Sequence, residues 1–574
     1  MGTYYVDSTT ASTNWANATN IATPCTPLTA MANAIAGDTV YFRGGSGGTY
    51  TVAANNYEVP IYNPSNSGTS GNPITFRNYP EEAPIMTSSY QSPAGGGAEL
   101  IMGSYAKNYI VIDGFQFGSG LTANWNSGEG LPSVGIRGGA AFCTIQNCKF
   151  YLPANVPLSF PNAQPVAVNT ATNIFIRNCY FTGATNAPGD HYNAINVYYT
   201  TNITVEYCTF ENVVSGPNFK SGVTNFTVRY CFFRNSGTSA NRNGGIKIGY
   251  AAGGPAWRGA KVYQNIFVNN SDNASTIYTY GSTEPEGSDL EFYNNSIYGS
   301  NGSSDEWLTR TDDGGGVSNS KIYNNVIDRL GGSNLYLKGN ADGEPTYMDY
   351  NIYYTTQNWR VHQYGTGQAT YTSLGTWSAS GHLVGGGNPD THSYYENVQW
   401  ANAGGTLPTD YKINSTHKNN GRGGSYASVI GAYITGNEQI GYLEDTGSAS
   451  PSHTPSHTPS HTPSHSRSKS MSKSQSPSLS ASPSAGYDYT RFIIHSSSNI
   501  IDGEITTHQL VPPGVKQYED FQDGVLHDVS NPADSINLNS DKYTEIEWCL
   551  QATDEAEVGE TYEFRVTKGV PILM

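Results

Sequence analysis

One motif recurs along the first two thirds of the chain. Asn147-Cys148-Lys149-Phe150, Asn178-Cys179-Tyr180-Phe181, Tyr207-Cys208-Thr209-Phe210 and Tyr230-Cys231-Phe232-Phe233 align with one another. They continue into Gln264-Asn265-Ile266-Phe267, Asn294-Asn295-Ser296-Ile297, Asn324-Asn325-Val326-Ile327 and Tyr350-Asn351-Ile352-Tyr353. The second position is Cys four times and then Asn four times, at intervals of 23–34 residues. An interval this variable excludes paired-helix solenoids, which need longer amphipathic runs. It suits coils of three short strands whose connecting loops lengthen freely, each coil burying its apolar side against the next about 4.8 Å away. The Cys and Asn residues then form one column, and the amides can bond along the stack. That column is read as structural.

The composition agrees. Charged residues make up 13% of the 574, Gly (64) and Tyr (42) are abundant, and short Val/Ile/Phe/Tyr/Thr runs alternate with Asn/Gly/Ser clusters, as in all-β chains. The flanks of the repeat carry a family resemblance. Gly37-Asp38-Thr39-Val40-Tyr41-Phe42-Arg43-Gly44, then Gly48-Thr49-Tyr50, resembles the opening coil of pectate-lyase-like β-helix proteins, and Leu28 to Ile35 resembles the short helix that caps such a core. Thr372 to Trp377, Asp410 to Ile413 and Ile430 to Tyr433 resemble the closing segments. The resemblance covers roughly residues 1–445 and implies a right-handed parallel β-helix. It says little about activity, because this scaffold hosts lyases, hydrolases, epimerases, phage tailspikes and plain surface proteins.

The expected organisation is a β-helix over 1–447, a disordered Ser/Pro/His linker over 448–486 and a small acidic antiparallel β-sandwich over 487–574. The linker repeats Pro-Ser-His-Thr with His453, His457, His461 and His465 in register. Without accompanying carboxylates or cysteines it reads as a solvated spacer rather than a metal site. In the last segment, Glu545 to Leu550 and Thr561 to Val566 alternate polar and apolar residues, as half-buried strands do. The segment resembles sandwich modules of surface and phage structural proteins and is expected to lack its last strand. An edge left open in this way invites a strand from another copy, with Thr3 to Val6 the expected donor.

The net charge of −17 argues against nucleic acid. Sixteen acidic against five basic residues in 487–574 account for most of it. No apolar run reaches transmembrane length, so membrane insertion is not expected. The N-terminus enters a strand-like segment without a signal-like region.

On a β-helix, outward side chains of successive coils form columns. Ile195-Asn196-Val197, Phe219-Lys220-Ser221, Ile246-Lys247-Ile248 and Ile277-Tyr278-Thr279 each place a polar or aromatic residue beside an apolar one. Aligned this way, Asn196, Lys220, Lys247 and Tyr278 share a face, with Asp190, His191 and Arg242 in the loops before those strands and Arg258 after the third. Such a face suits β-elimination on a uronic-acid polymer, in which a neutral amine removes the proton beside the carboxylate and an acid assists the leaving sugar. Lys220 is the expected base, with Lys247 nearby to favour its neutral form. Arg242 is the expected carboxylate partner, His191 a further catalytic candidate, and Asn196, Tyr278 and Asp190 substrate contacts. Phe219-Lys220-Ser221, with Asn225 and Asn235-Ser236-Gly237, loosely resembles the base-bearing coil of alginate and chondroitin β-helix lyases. Their Arg-His-Gly coil is replaced here by Gly245-Ile246-Lys247-Ile248-Gly249. No cofactor is required, although Ca²⁺ would serve in place of the cation. Asp305-Glu306 and Asp312-Asp313 are secondary candidates for hydrolase acids or Ca²⁺ ligands.

Two functions follow as expectations. The first is an extracellular or virion-surface appendage, a tail component or filament subunit that binds cell-surface glycans and copies of itself. The second is a polysaccharide lyase.

Overall fold

The computed structural model describes residues 1–442 except 11, 46–47, 53–58, 89–97, 119–130, 153–163, 184–192, 237–244, 250–254, 270–276, 281–286, 300–306, 313–316, 330–334, 340–344, 356–358, 364–366, 384–385, 424–426, 428 and 436–437; beyond these it describes five strands between 489 and 551. The chain divides into two compact units, Met1–Pro459 and Ser460–Met574.

The first unit is a right-handed parallel β-helix of three long sheets. The first sheet runs from Thr3–Val6 to Tyr347–Asp349, the second from Thr49–Val52 to Tyr394–Tyr395, and the third from Ala98–Tyr105 to an antiparallel hairpin of Trp359–Gln363 with Gly367–Tyr371. Within the stack, each strand pairs in parallel with its counterpart one coil on. Period-two alternation sends one set of side chains inward. In the second sheet Phe117, Phe150, Phe181, Phe210, Phe233 and Phe267 stack in register with ring centroids 4.6–5.0 Å apart, the spacing of the strands themselves.

The repeat motif marks the tight corner between the first and second sheets. The residue before each ladder position (Asn147, Asn178, Tyr207, Tyr230, Gln264, Asn294, Asn324, Tyr350) has φ between 48° and 58°, a conformation that Asn tolerates better than most residues. The ladder is a real hydrogen-bonded column. Asn265 Nδ2 donates to Asn295 Oδ1 (3.0 Å), Asn295 to Asn325 (3.1 Å), Asn325 to Asn351 (3.1 Å), and Asn351 to Asp390 Oδ1 (2.9 Å). Each oxygen from Asn265 to Asn351 also accepts the backbone N–H of the preceding ladder residue. The Cys half of the column is fully buried, and its thiols are free.

Both ends of the core are closed. At the N-terminal end, helix α1 (Pro27–Asn33) starts at Thr26, whose hydroxyl accepts the Thr29 N–H, with Pro27 in the first turn. It buries Ala30 and Met31, while Leu28 and Ile35 face water. At the other end α2 (Leu374–Ser378), opened by a Ser373–Thr376 capping box, inserts Trp377. Its indole N–H donates to Asp390 Oδ2 (2.7 Å), and the same carboxylate receives Tyr353 Oη and Ser393 Oγ.

After this plug the chain turns back along the outside of the second sheet. Gly431 N donates to Asn324 O, Gly441 N to Tyr230 O and Tyr442 N to Thr209 Oγ1, so the strap passes coil after coil towards the N-terminal half. Beneath it the outward positions are apolar: Phe232, Ile266 and Val268 pack against Tyr411, Ala432, Tyr433 and Ile440, and Val326 and Ile352 against Val398, Ile413 and Ile430. Past its end the outward positions become polar, as at Lys149, Thr182 and Glu211.

Thr3–Val6 is not a free strand. It pairs along its length with Thr39–Phe42, and Cys25 bridges Val6 on its other side. The expectation that it is donated to another copy is corrected: the first coil already uses it.

In the second unit Tyr489–Ile494 pairs antiparallel with Ile546–Gln551, and Tyr518–Gln522, Val525–Asp528 and Ser535–Asn537 form a three-stranded antiparallel sheet. The expected strand from Thr561 to Val566 and the linker lie outside the described residues.

Candidate functional site

The third sheet carries the site candidates. Its register places Ala167, Asn196, Asn218, Lys247 and Tyr278 opposite one another in successive coils, and extends to Arg310, Lys338 and His362. Asn196, Lys247 and Tyr278 thus share a column. The member between Asn196 and Lys247 is Asn218, not Lys220. The reason lies in the inward residues: Ile195 and Val197 pair with Pro217 and Phe219, so Pro217 takes the place that the sequence alignment gave to Phe219. Lys220 lies two residues further on, opposite Tyr198. Its backbone N–H donates to Val197 O, and Ser221 O accepts from Tyr199.

This register produces a specific contact. Lys220 Nζ donates to Tyr198 Oη at 2.7 Å and stands 4.9 Å from the centre of the same ring. Lys220 is 9% exposed as a residue, its contact with Tyr198 is part-buried, Tyr198 is half-buried, and the neighbouring Tyr199 is 47% exposed. Tyr199 has φ +44°. Its ring lies over Gly222, where an added Cβ would come within 2.8 Å of it and where φ is +68°. Glycine at 222 therefore leaves room for the Tyr199 ring beside the Lys220–Tyr198 pair. Towards the N-terminus the same line of positions holds Asn169, Arg137 and Tyr105.

Deeper along the strand, Asn196 is 1% exposed, and neither its amide oxygen nor its amide nitrogen has a hydrogen-bond partner. A buried polar group left so costs about 1–3 kcal/mol, and most such groups in folded proteins are paired. Asn218 and Lys247, its column neighbours, are buried as well.

Of the other expected site residues, Asp190, His191 and Arg242 lie outside the described residues, as do Asp305, Glu306 and Asp313. Asp312 ends the strand Trp307–Asp312 opposite Tyr280. Arg258 opens a strand of the first sheet, opposite Thr224, and so stands on a different sheet from Lys247. Among the described residues no group of three or more His, Cys, Asp or Glu is placed to hold a metal ion. Sequence reasoning missed Tyr198 and Tyr199. The signal was present: Val168-Asn169, Val197-Tyr198 and Phe219-Lys220 each set an outward residue directly after the last inward apolar one.

Residues 119–297 match the family model described as the right-handed β-helix region. No curated protein matches the chain in sequence. Among solved structures the chain is similar to a pectate lyase (14% identity, 75% of this chain and 96% of that one, TM-score 0.42). It is similar also to a polysaccharide lyase from Pseudopedobacter saltans (13% identity, 70% and 96%, TM-score 0.37) and to a lacto-N-biosidase from Eubacterium ramulus (12% identity, 69% and 68%, TM-score 0.35). The class of the chain is that of the right-handed parallel β-helix proteins, with a second, smaller antiparallel unit attached.

Proposed function

We propose that the protein is an extracellular glycan-engaging β-helix that cleaves a uronic-acid polymer by β-elimination at the Lys220 end of the third sheet. The observation that carries this is the Lys220–Tyr198 contact beside the exposed ring of Tyr199. An amine held against a tyrosine and beside an exposed aromatic face is a base placed where a sugar ring can stack. The amide of Asn196, on the same strand as Tyr198, is 1% exposed with both polar atoms unpaired, and its two N–H donors and carbonyl acceptor meet substrate only where the residues over it give way. By sequence alone Arg242 is kept for the carboxylate of the reacting sugar and His191 and Asp190 as further candidates, and the register sets Lys247 and Tyr278 in the adjoining coils of the same sheet. Ca²⁺ is not required by this assignment.

Incubation with alginate, pectate and chondroitin, followed by ultraviolet absorbance of the unsaturated product, tests the reading. Product from one polymer is expected, and Lys220→Ala should lower its rate by a factor of about 10²–10⁴. Because Lys220 is buried against Tyr198, the variant's melting temperature should fall as well, so the rate is compared at a temperature where both proteins are folded. Glycan binding without product from any polymer would leave an adhesive role for the same face and reject catalysis.

A further inference from the structure

The Lys220–Tyr198 pair has a second half. We propose that the Tyr198 hydroxyl is the acid of the reaction, and that Lys220 returns the proton to it after each turnover; this rests on the lyase reading above. The geometry is a single hydrogen bond. Lys220 Nζ donates to Tyr198 Oη across 2.7 Å. The donated hydrogen occupies one lone pair of the phenol oxygen and leaves the phenol's own O–H to turn towards a second acceptor. Two groups that bond to each other stand on the same side of any sugar they share, so the arrangement fits a syn elimination.

The bonds balance without a further reactant. The C–H bond next to the carboxylate breaks, its proton goes to Lys220 Nζ, and its electron pair forms the carbon–carbon double bond. The C–O bond at the β-carbon breaks, and the leaving oxygen takes the proton of Tyr198. Lys220 is then an ammonium and Tyr198 a phenolate, hydrogen-bonded to each other. Transfer of one proton across that bond restores the amine and the phenol, with no water needed to reset the site. The short contact is what makes the return step direct, and the partial burial of both groups holds it in place. Tyr199 supplies the stacking surface, and Gly222 gives it room.

A purely positioning role for Tyr198 is the competing account, since its ring also lies under the amine at 4.9 Å. Tyr198→Phe separates the two, because it keeps the ring and removes only the hydroxyl. The variant should be compared with the wild type on the natural polymer and on a uronide carrying a 4-nitrophenoxy group at the β-carbon, which departs without a proton. Melting temperature serves as the control for folding. An acid role predicts a loss of about 10²–10³ in kcat on the polymer and less than about tenfold on the activated substrate. Equal losses on both substrates, or none on either, would overturn the assignment while leaving the lyase reading intact. A wild-type protein that releases no unsaturated product from either substrate removes both.

Discussion

Asn295 shows how much one side chain holds in this molecule. Its amide bonds the ladder residues on either side and the backbone carbonyls of Val262 and Tyr293, and its oxygen takes the Asn265 N–H. Asn295→Ala strands these groups in the interior, and at about 1–3 kcal/mol for each buried group left unpaired the loss should reach roughly 3 kcal/mol or more. Cys231→Ala, at the equivalent position, should cost clearly less. Its thiol lies 3.7 Å from Val205 O and 3.2 Å from Arg229 O, and a thiol is a weak donor. Denaturant titration of the two variants gives the comparison, and equal losses would contradict it. Asp328 is a second decisive residue. It is 2% exposed, one oxygen accepts the Trp400 indole N–H at 2.6 Å, and the other has no partner. Burial pushes its carboxyl up from 3.8 to about 6. The folded state therefore holds the proton more tightly than the unfolded chain, so this group's stabilising contribution is present below about pH 4 and is lost as pH rises towards 6. The full difference is on the order of 3 kcal/mol. Asp328→Asn keeps an acceptor for Trp400 and removes the charge. Relative to the wild type, it should be increasingly stabilising from pH 4 to pH 7, and a difference that does not change over that range would refute the account.

At the scale of the element, legibility followed burial. The corner repeat was readable because the ladder position admits only small or amide side chains and the preceding residue must accept positive φ, so Asn-Cys and Asn-Asn recur. Helix α1 was expected over Leu28 to Ile35 and runs over Pro27–Asn33, with Ala30 and Met31 rather than Leu28 on its inward face. The third sheet was harder. Its strands follow loops of very unequal length, so alignment depends on recognising the inward residues, and Pro217 does not advertise itself as one. A slip of two residues keeps every side chain on its correct face, because the strand period is two. It nevertheless moved Lys220 from Tyr198 to Asn196, and with it the identity of the base's neighbour. Asp410 to Ile413 and Ile430 to Tyr433 were read as closing segments, but not their course along the outer face of the second sheet. From Phe232 onward both faces of the second-sheet strands carry apolar residues, as in Ile266-Phe267-Val268 and Val326-Ile327. That change from alternating to continuous apolar character is the mark of a sheet covered on both sides.

For the whole first unit, the strap decides where the chain can be cut. Residues 396–442 cover Phe232, Ile266, Val268, Val326 and Ile352 on the outer face of the second sheet, and tie down through Asp328–Trp400, Asn324–Gly431 and Tyr230–Gly441. A protein ending near residue 445 retains both the coil stack and this second layer. It should therefore melt in one cooperative transition and remain dispersed. One ending at residue 395 keeps the coils, the Asn ladder and the Asp390 plug, so its β-rich circular dichroism should persist. Its newly bared face, however, would expose Phe232, Ile266, Val268, Val326 and Ile352 on four coils of one sheet, an apolar patch of the kind that drives association. That shorter protein should bind a hydrophobic dye and scatter light in a concentration-dependent way at micromolar levels, while the longer one does neither. If both remain monomeric and dye-negative, the strap is a passenger on the β-helix. If the shorter protein instead loses its β-rich spectrum, the outer layer is needed for the coils themselves, and the two layers fold as one.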